Sequence, residues 1–200
     1  MKKKTRIRVN PFELICFMFL LIISCNKEVD KDNSNNPVNT VTDIDGNVYR
    51  TVTIGTQTWM VENLKVTRYR NGDSIINAKV DGHWEQVLAG AYCNYNNDPT
   101  LAETYGRLYN WYAVYDWRNI APLGWHVPTR ADWDTLANFL IKDEFTGGKL
   151  KETGNEHWLS PNKNATNSTG FTALPGGNRY YNGHFLSIGR SGNWWSSTRT

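Results

Sequence analysis

Cysteine is scarce: of three in 200 residues, Cys93 alone lies beyond residue 25. The domain around it therefore has no internal disulfide available without Cys25, which is unusual for an exported protein. Long apolar runs are also missing. The longest, Leu14 to Ile23, falls short of the roughly 20 residues a transmembrane helix needs. The four histidines, His83, His126, His157 and His184, show no His-x-x-x-His or comparable ligand spacing, so no metal site is expected from them. There is no Gly-x-Ser-x-Gly elbow and no glycine-rich phosphate loop. No residue is expected to be catalytic, and no cofactor is implied. A basic surface is lacking too. The whole chain carries +3, but five bases against one acid put +4 in the first 24 residues, so the rest sums to about −1. Nothing points to nucleic acid.

What is present at the amino terminus is a leader. Lys2, Lys3, Lys4, Arg6 and Arg8 precede the apolar run, the order of an n-region and h-region in a cleaved signal peptide. Ile22-Ile23-Ser24-Cys25 then resembles the lipobox of bacterial lipoproteins. That resemblance implies a cut before Cys25 and a lipid thioether on its thiol. Several acyl chains at ~0.8 kcal/mol per buried methylene hold stably where one would be marginal. The alternative is an ordinary signal peptide with an incidental cysteine, and Cys16 reads as an apolar filler of the h-region. Residues 1–24 are thus expected to be the leader and 25–42 a lipidated cysteine with a flexible tether. The tether is polar, with Asn33-Ser34-Asn35-Asn36-Pro37 at its centre, and buries too little surface to offset its ordering entropy. Lys27, Glu28, Asp30 and Asp32 either resemble the sorting signal of surface lipoproteins in Bacteroidetes or form a merely solvated linker. An outer-membrane or cell-surface location follows from the first reading.

Residues 43–200 are long enough for one domain with one core. All nine tryptophans and all ten tyrosines lie there, spaced by glycine and asparagine, which suggests a loop-rich mixed fold. Asp43-Ile44-Asp45-Gly46-Asn47 reads as an Asx turn; a calcium loop is the other option, but it lacks the later bidentate glutamate. Val48 to Thr53 and Gln57 to Val61 alternate as the strands of a hairpin turned at Gly55. Leu108, Tyr109, Tyr112 and Ala113 line one face of a helix expected over Gly106–Val114. Thr129-Arg130-Ala131-Asp132 has capping-box spacing, with an acid shorter than the usual Glu or Gln. Trp133, Leu136, Ala137, Leu140 and Ile141 then recur at i, i+3, i+4, i+7 and i+8, predicting an amphipathic helix from about Arg130 to Ile141. Further on, Asn182-Gly183 predicts a two-residue hairpin turn between strands Arg179–Tyr181 and His184–Ile188.

Several strings carry a resemblance. They are Gly124-Trp125-His126-Val127-Pro128-Thr129 with Asp132-Trp133, the run Gly147 to Gly154, His157-Trp158, the run Gly170 to Gly177, and Gly192-Asn193-Trp194-Trp195-Ser196-Ser197. Together with the run Asp43 to Tyr49, Trp59-Met60, Glu62-Asn63-Leu64 and Leu108 to Ala113, they resemble the Fibrobacter succinogenes major paralogous domain, over the whole of residues 43–200. That resemblance implies an α+β, C-type-lectin-like fold: a twisted antiparallel sheet with two flanking helices and a long loop-rich region. It implies an exported lipoprotein of Bacteroidetes or Fibrobacteres and no known reaction. It also implies a cysteine at the place of Ala121 and a terminal strand with a second cysteine beyond Ser197. The sequence ends at Thr200, so an open sheet edge is expected.

The Pro128-Thr129 helix start with Trp133 also resembles the formylglycine-generating enzyme group, whose oxidase chemistry needs two active-site cysteines; Cys93 alone does not supply them. His126 and Asp132 read as structural and capping groups before catalytic ones. The expected function is non-catalytic binding of an extracellular glycan, whose C–H faces suit aromatic rings and whose hydroxyls suit amides and charges. Candidate contacts are Trp158, Asn178, Arg179, Tyr180, Tyr181, Asn182 and His184, with one of the two tyrosines in the core; Trp194 and Trp195 read as core. The strings of calcium-dependent lectins are absent. A protein partner is the second reading, because Tyr, Ser, Gly and Asn also compose adaptable paratopes, and a degradative enzyme is the third.

Overall fold

The computed structural model describes residues 23–24, 39–79, 81–141 and 146–199. Residues 1–22 of the expected leader, Cys25 and the expected tether as far as residue 38 lie outside these. In chain order the elements are β1 (Ile23–Ser24), β2 (Thr40–Thr42), β3 (Val48–Ile54), β4 (Gln57–Met60), β5 (Ile76–Asn77), α1 (Asp81–Gln86), β6 (Ala91–Cys93), α2 (Pro99–Tyr105) and β7 (Leu108–Tyr109). They continue with α3 (Trp111–Val114), β8 (Trp125–His126), α4 (Arg130–Leu140), α5 (Thr146–Leu150), β9 (Gly176–Arg179) and β10 (Phe185–Ile188). Among the described residues no helix is long and apolar enough to cross a membrane.

The class is mixed, with small sheets and short helices. Instead of one sheet there are three: β2-β3-β4-β1-β8, β5-β6-β7 and β9-β10. One pair, β5 with β6, is parallel. The tether ends earlier than its polarity suggests, since Thr40–Thr42 pairs with Val48–Arg50 and Val41 packs on the core. The β3–β4 hairpin forms as expected, with Ile54 opposite Gln57. Its entry is an Asx turn: Asp43 Oδ1 accepts from the amides of Asp45 and Asn47, and Oδ2 accepts from the Tyr49 hydroxyl at 2.6 Å. Asp45 Oδ2 accepts from Thr67, and its carboxylate pairs with Arg68 at 3.0 Å. Both acids serve the protein's own donors, so the turn needs no calcium.

The expected helix over Gly106–Val114 is split. Leu108 and Tyr109 are fully buried and extend as β7 against Cys93 and Tyr92; a single turn, α3, follows. Two apolar residues with a sheet edge beside them gain more as a strand than from weak helix propensity. Helix α4 matches its prediction, and both halves of the capping box are made: Asp132 N donates to Thr129 Oγ1 at 3.2 Å, and Thr129 N donates to Asp132 Oδ2 at 2.8 Å. Leu136 and Leu140 are buried on its inner face, while Ile141 at the C-cap is exposed.

Aromatic side chains tie these pieces together. Trp59 lies 4.8 Å from Trp133 and 5.9 Å from Phe171, and Phe171 meets Trp194 at 6.1 Å. Three of the indole N–H groups find acceptors: Trp133 at Trp195 O, Trp194 at Asn63 Oδ1 and Trp195 at Tyr109 O. One end of the chain thereby clamps the first hairpin, β7 and α4 at once, and the paired tryptophans are core.

Candidate functional site

The predicted contact surface centres on the β9–β10 hairpin. Its turn differs from the expected one. Gly183 N donates to Tyr180 O and Tyr180 N to His184 O, and Gly183 has φ 91° while Asn182 keeps ordinary φ. This is a type I turn followed by a left-handed glycine, the three-residue alternative to an Asn-Gly turn. Gly177 lies deeper in the hairpin at φ 68°, where a Cβ would come 2.4 Å from Leu186 O. Only glycine fits there.

The hairpin's root faces inward. Arg179 is 0% exposed; its Nε donates to Gly183 O, its Nη1 donates to Ala78 O at 2.6 Å, and its guanidinium lies over the rings of Trp84 and Phe185. Asn178 is buried beside it. Trp158 is also buried; it donates Nε1 to Ala173 O and is covered by Lys151 at 4.3 Å. Arg179 and Trp158 are therefore structural, because a buried donor set already satisfied by the chain has nothing left for a ligand, and Asn178 is buried with them. Tyr181, Asn182 and His184 are exposed and Tyr180 is half-buried, with the two tyrosine rings 4.6 Å apart.

A second surface lies where no contact was expected. Asn110 is buried; its Oδ1 accepts from the amides of Ala91 and Ala113 and its Nδ2 donates to Ala89 O, which anchors α3 to β6. Trp111 stacks on Tyr115 at 5.4 Å and 18°, and meets Trp195 at 5.6 Å. From α3 onward the aromatics turn outward: Tyr112 is 45%, Tyr115 54% and Trp117 88% exposed. A tryptophan left in water forgoes roughly 2–3 kcal/mol relative to a buried aromatic of that size.

The segment holding Trp117 is tied down. Arg118 donates Nη2 to Asp116 Oδ2 at 2.7 Å and Nη1 to Asp73 Oδ2 at 3.0 Å, and lies 4.0 Å over the Tyr69 ring. The hydrogen bonds from Arg118 hold the Asp116 carboxyl below the usual range. Burial, then the Asp116 charge, pushes Tyr69 up to about 12. Downstream, Arg70 donates to the carbonyls of Ala121, Pro122 and Trp125. Ala121 itself is buried and lines a cleft of about 220 Å³ with Asp43, Ile44, Arg70 and Leu123.

The polar clusters elsewhere read as structure. His126 Nε2 and the Thr129 hydroxyl both meet Asp132 Oδ2, at 3.1 and 2.7 Å. Burial raises the Asp132 pKa, but the Thr129 and His126 bonds outweigh it and leave the carboxyl below its ordinary value. A nucleophilic triad needs the imidazole on the hydroxyl; here the carboxylate sits between them and caps α4. Both Glu152 oxygens lie 2.9 Å from His157 Nδ1, with exposed Glu156 close enough that the three groups' donor atoms fall within 4.8 Å. Sequence spacing did not single out that group. The His83 side chain lies outside the described part of the protein.

The Fibrobacter succinogenes major domain family model matches residues 52–200. The chain belongs to this family. The match takes in β3 from Val52 onward and every later element, including α4 with its cap and the tryptophan clamp. No curated protein and no solved structure matches the chain.

Proposed function

We propose that this family member is a lipid-anchored module outside the cytoplasm that binds an extracellular glycan and does not catalyse. The supporting observation is the outward cluster of Tyr112, Tyr115 and Trp117, 45, 54 and 88% exposed on a segment pinned at both ends. Aromatic faces carried on a backbone held before binding spare the ligand part of the cost of ordering them. Asp116, Arg118 and Asn119 flank the rings with hydrogen-bonding groups of the kind sugar hydroxyls use. On this reading residues 112–119 are the contact surface, and the hairpin tip of Tyr180, Tyr181, Asn182 and His184 is the comparison site.

The anchor at Cys25 and an outer-membrane or cell-surface position belong to the same proposal, on the strength of the lipobox-like Ile22-Ile23-Ser24-Cys25. So does the C-type-lectin-like arrangement, supported by the small, mostly antiparallel sheets, the capped helix α4 and the long irregular stretch between α5 and β9.

The test is titration of the processed protein against plant and host glycan arrays, read by tryptophan fluorescence. Binding that Trp117→Ala abolishes and Tyr181→Ala spares supports the reading and places the site. Silence from a folded sample sinks the glycan reading in favour of a protein partner.

A further inference from the structure

The loop that follows α5 is tied to the domain at several points. Glu152 N donates to Ala173 O, and Leu159 N donates to Gly189 O. Trp158 packs beneath the loop with its Nε1 on the same Ala173 carbonyl. Asn162 closes it: Nδ2 donates to Glu152 O at 2.7 Å and to Gly154 O at 2.8 Å. The backbone carrying residues 152–157 is therefore set by bonds made within the chain.

Two features of this loop lack compensation. The first is charge. Glu152 Oε1 and Oε2 each stand 2.9 Å from His157 Nδ1, and Glu156 adds a second carboxylate, with the three groups' donor atoms within 4.8 Å. Glu152 and His157 are largely covered, while Glu156 is exposed. Among the described residues no lysine or arginine pairs with either glutamate. Lys151, next in sequence, lays its ammonium over the Trp158 ring at 4.3 Å instead. The second feature is Asn162 Oδ1, which is enclosed and accepts no hydrogen bond. The two carbonyls on Nδ2 fix which way this amide faces. An enclosed acceptor without a donor is a mark of an ion or a water beside it.

We propose that Glu152, Glu156 and His157 bind one divalent transition-metal ion of the zinc type, which staples the loop between α5 and β9. The donor set selects the class of ion. Calcium and magnesium take oxygen ligands, whereas an imidazole beside carboxylates suits zinc and its first-row neighbours. Bonds of about 2.0–2.2 Å place neighbouring ligand atoms roughly 3–3.5 Å apart. Glu152 and His157 stand close to that separation, and exposed Glu156 has the freedom to swing in. Without the ion, a proton on Nδ1 bridges the imidazole to Glu152. The ion takes that place, Nδ1 giving it a lone pair and the proton leaving to solvent. Tyr105, edge-on to the His157 ring at 5.7 Å, holds the imidazole plane. No residue of the set belongs to the segment 112–119, so metal binding and glycan binding are separate properties.

The experiment is zinc titration of the full chain, made without an affinity tag, purified in detergent and stripped of metal. Calorimetry should give one equivalent bound. A hundredfold excess of zinc over its Kd should raise the unfolding midpoint by roughly 5 °C or more. Glu156→Gln and His157→Gln should each weaken binding on the order of tenfold or more, while Asp134→Asn, an exposed acid on α4, should leave it unchanged. Because Glu156 is exposed, its variant tests the site without touching the fold, which near-UV circular dichroism checks. Cobalt in place of zinc should give visible ligand-field bands that His157→Gln alters, a signature that a purely structural histidine does not produce. Absence of zinc uptake, or uptake that survives both variants, overturns the site and leaves Glu152 and His157 as a hydrogen-bonded pair. Calcium or magnesium bound as tightly as zinc overturns the assignment of the ion.

Discussion

The hairpin of residues 176–188 and the segment of residues 110–119 have similar compositions and opposite orientations. Each carries aromatics, asparagines and an arginine. In the hairpin the arginine is swallowed: Arg179 spends its guanidinium on Gly183 and Ala78 carbonyls beneath Trp84 and Phe185. In the segment Arg118 stays near the surface, bonded to Asp116 and Asp73, and braces a turn that holds Trp117 in water. The same residue types thus make a structural root in one place and a presented surface in the other. What separates them is where the acceptors lie: inside the fold for Arg179, on surface carboxylates for Arg118.

The sharpest way to break this contrast is Arg179→Ala. It strands two buried carbonyls and opens a cavity, with an expected cost of about 3–5 kcal/mol in urea unfolding. A loss under about 1 kcal/mol would mean that the hairpin root is not the anchor described. Next, Trp195→Phe keeps an aromatic ring but removes the N–H bond to Tyr109 O and empties part of the indole's space; a cost of about 1–3 kcal/mol is expected by the same measurement. Asp132→Ala should cost about 1 kcal/mol at neutral pH through loss of the α4 cap. Its pH signature has a definite sign. The folded carboxyl titrates below the unfolded one, so its contribution is complete above about pH 4 and disappears as the pH falls through the lower folded value. Asp132→Asn should therefore flatten part of the acid limb of the stability curve. Smallest in stability is Trp117→Ala, expected within about 0.5 kcal/mol of the parent while glycan affinity drops on the order of tenfold or more. If Trp117→Ala unfolds the protein as Arg179→Ala does, the two regions are not opposites.

Much of the fold was legible beforehand, and the legible parts share a property. The Asx turn at Asp43, the β3–β4 hairpin and helix α4 with its Thr129–Asp132 box each rest on partners within a few residues of one another. The sites were less legible. Trp158, Asn178 and Arg179 looked like contacts because composition marks a segment as aromatic and polar without saying which side faces out. Trp117 passed unremarked for the converse reason: an exposed tryptophan and a core tryptophan are the same letter. Its neighbours Asp116 and Arg118 were the available signal, a local charge pair suited to a braced surface turn.

By itself, then, the sequence determined the aromatic-rich composition beyond residue 43, the family strings and the elements closed by short-range hydrogen bonds. Tertiary structure alone decided that Leu108–Tyr109 extends as β7, because its partner Tyr92–Cys93 lies more than a dozen residues away. It likewise decided that Arg179 turns inward, because Ala78 O is 101 residues distant, and that β1 lies between β4 and β8. Those outcomes depend on acceptors and strand edges that exist only once remote parts of the chain have been brought together.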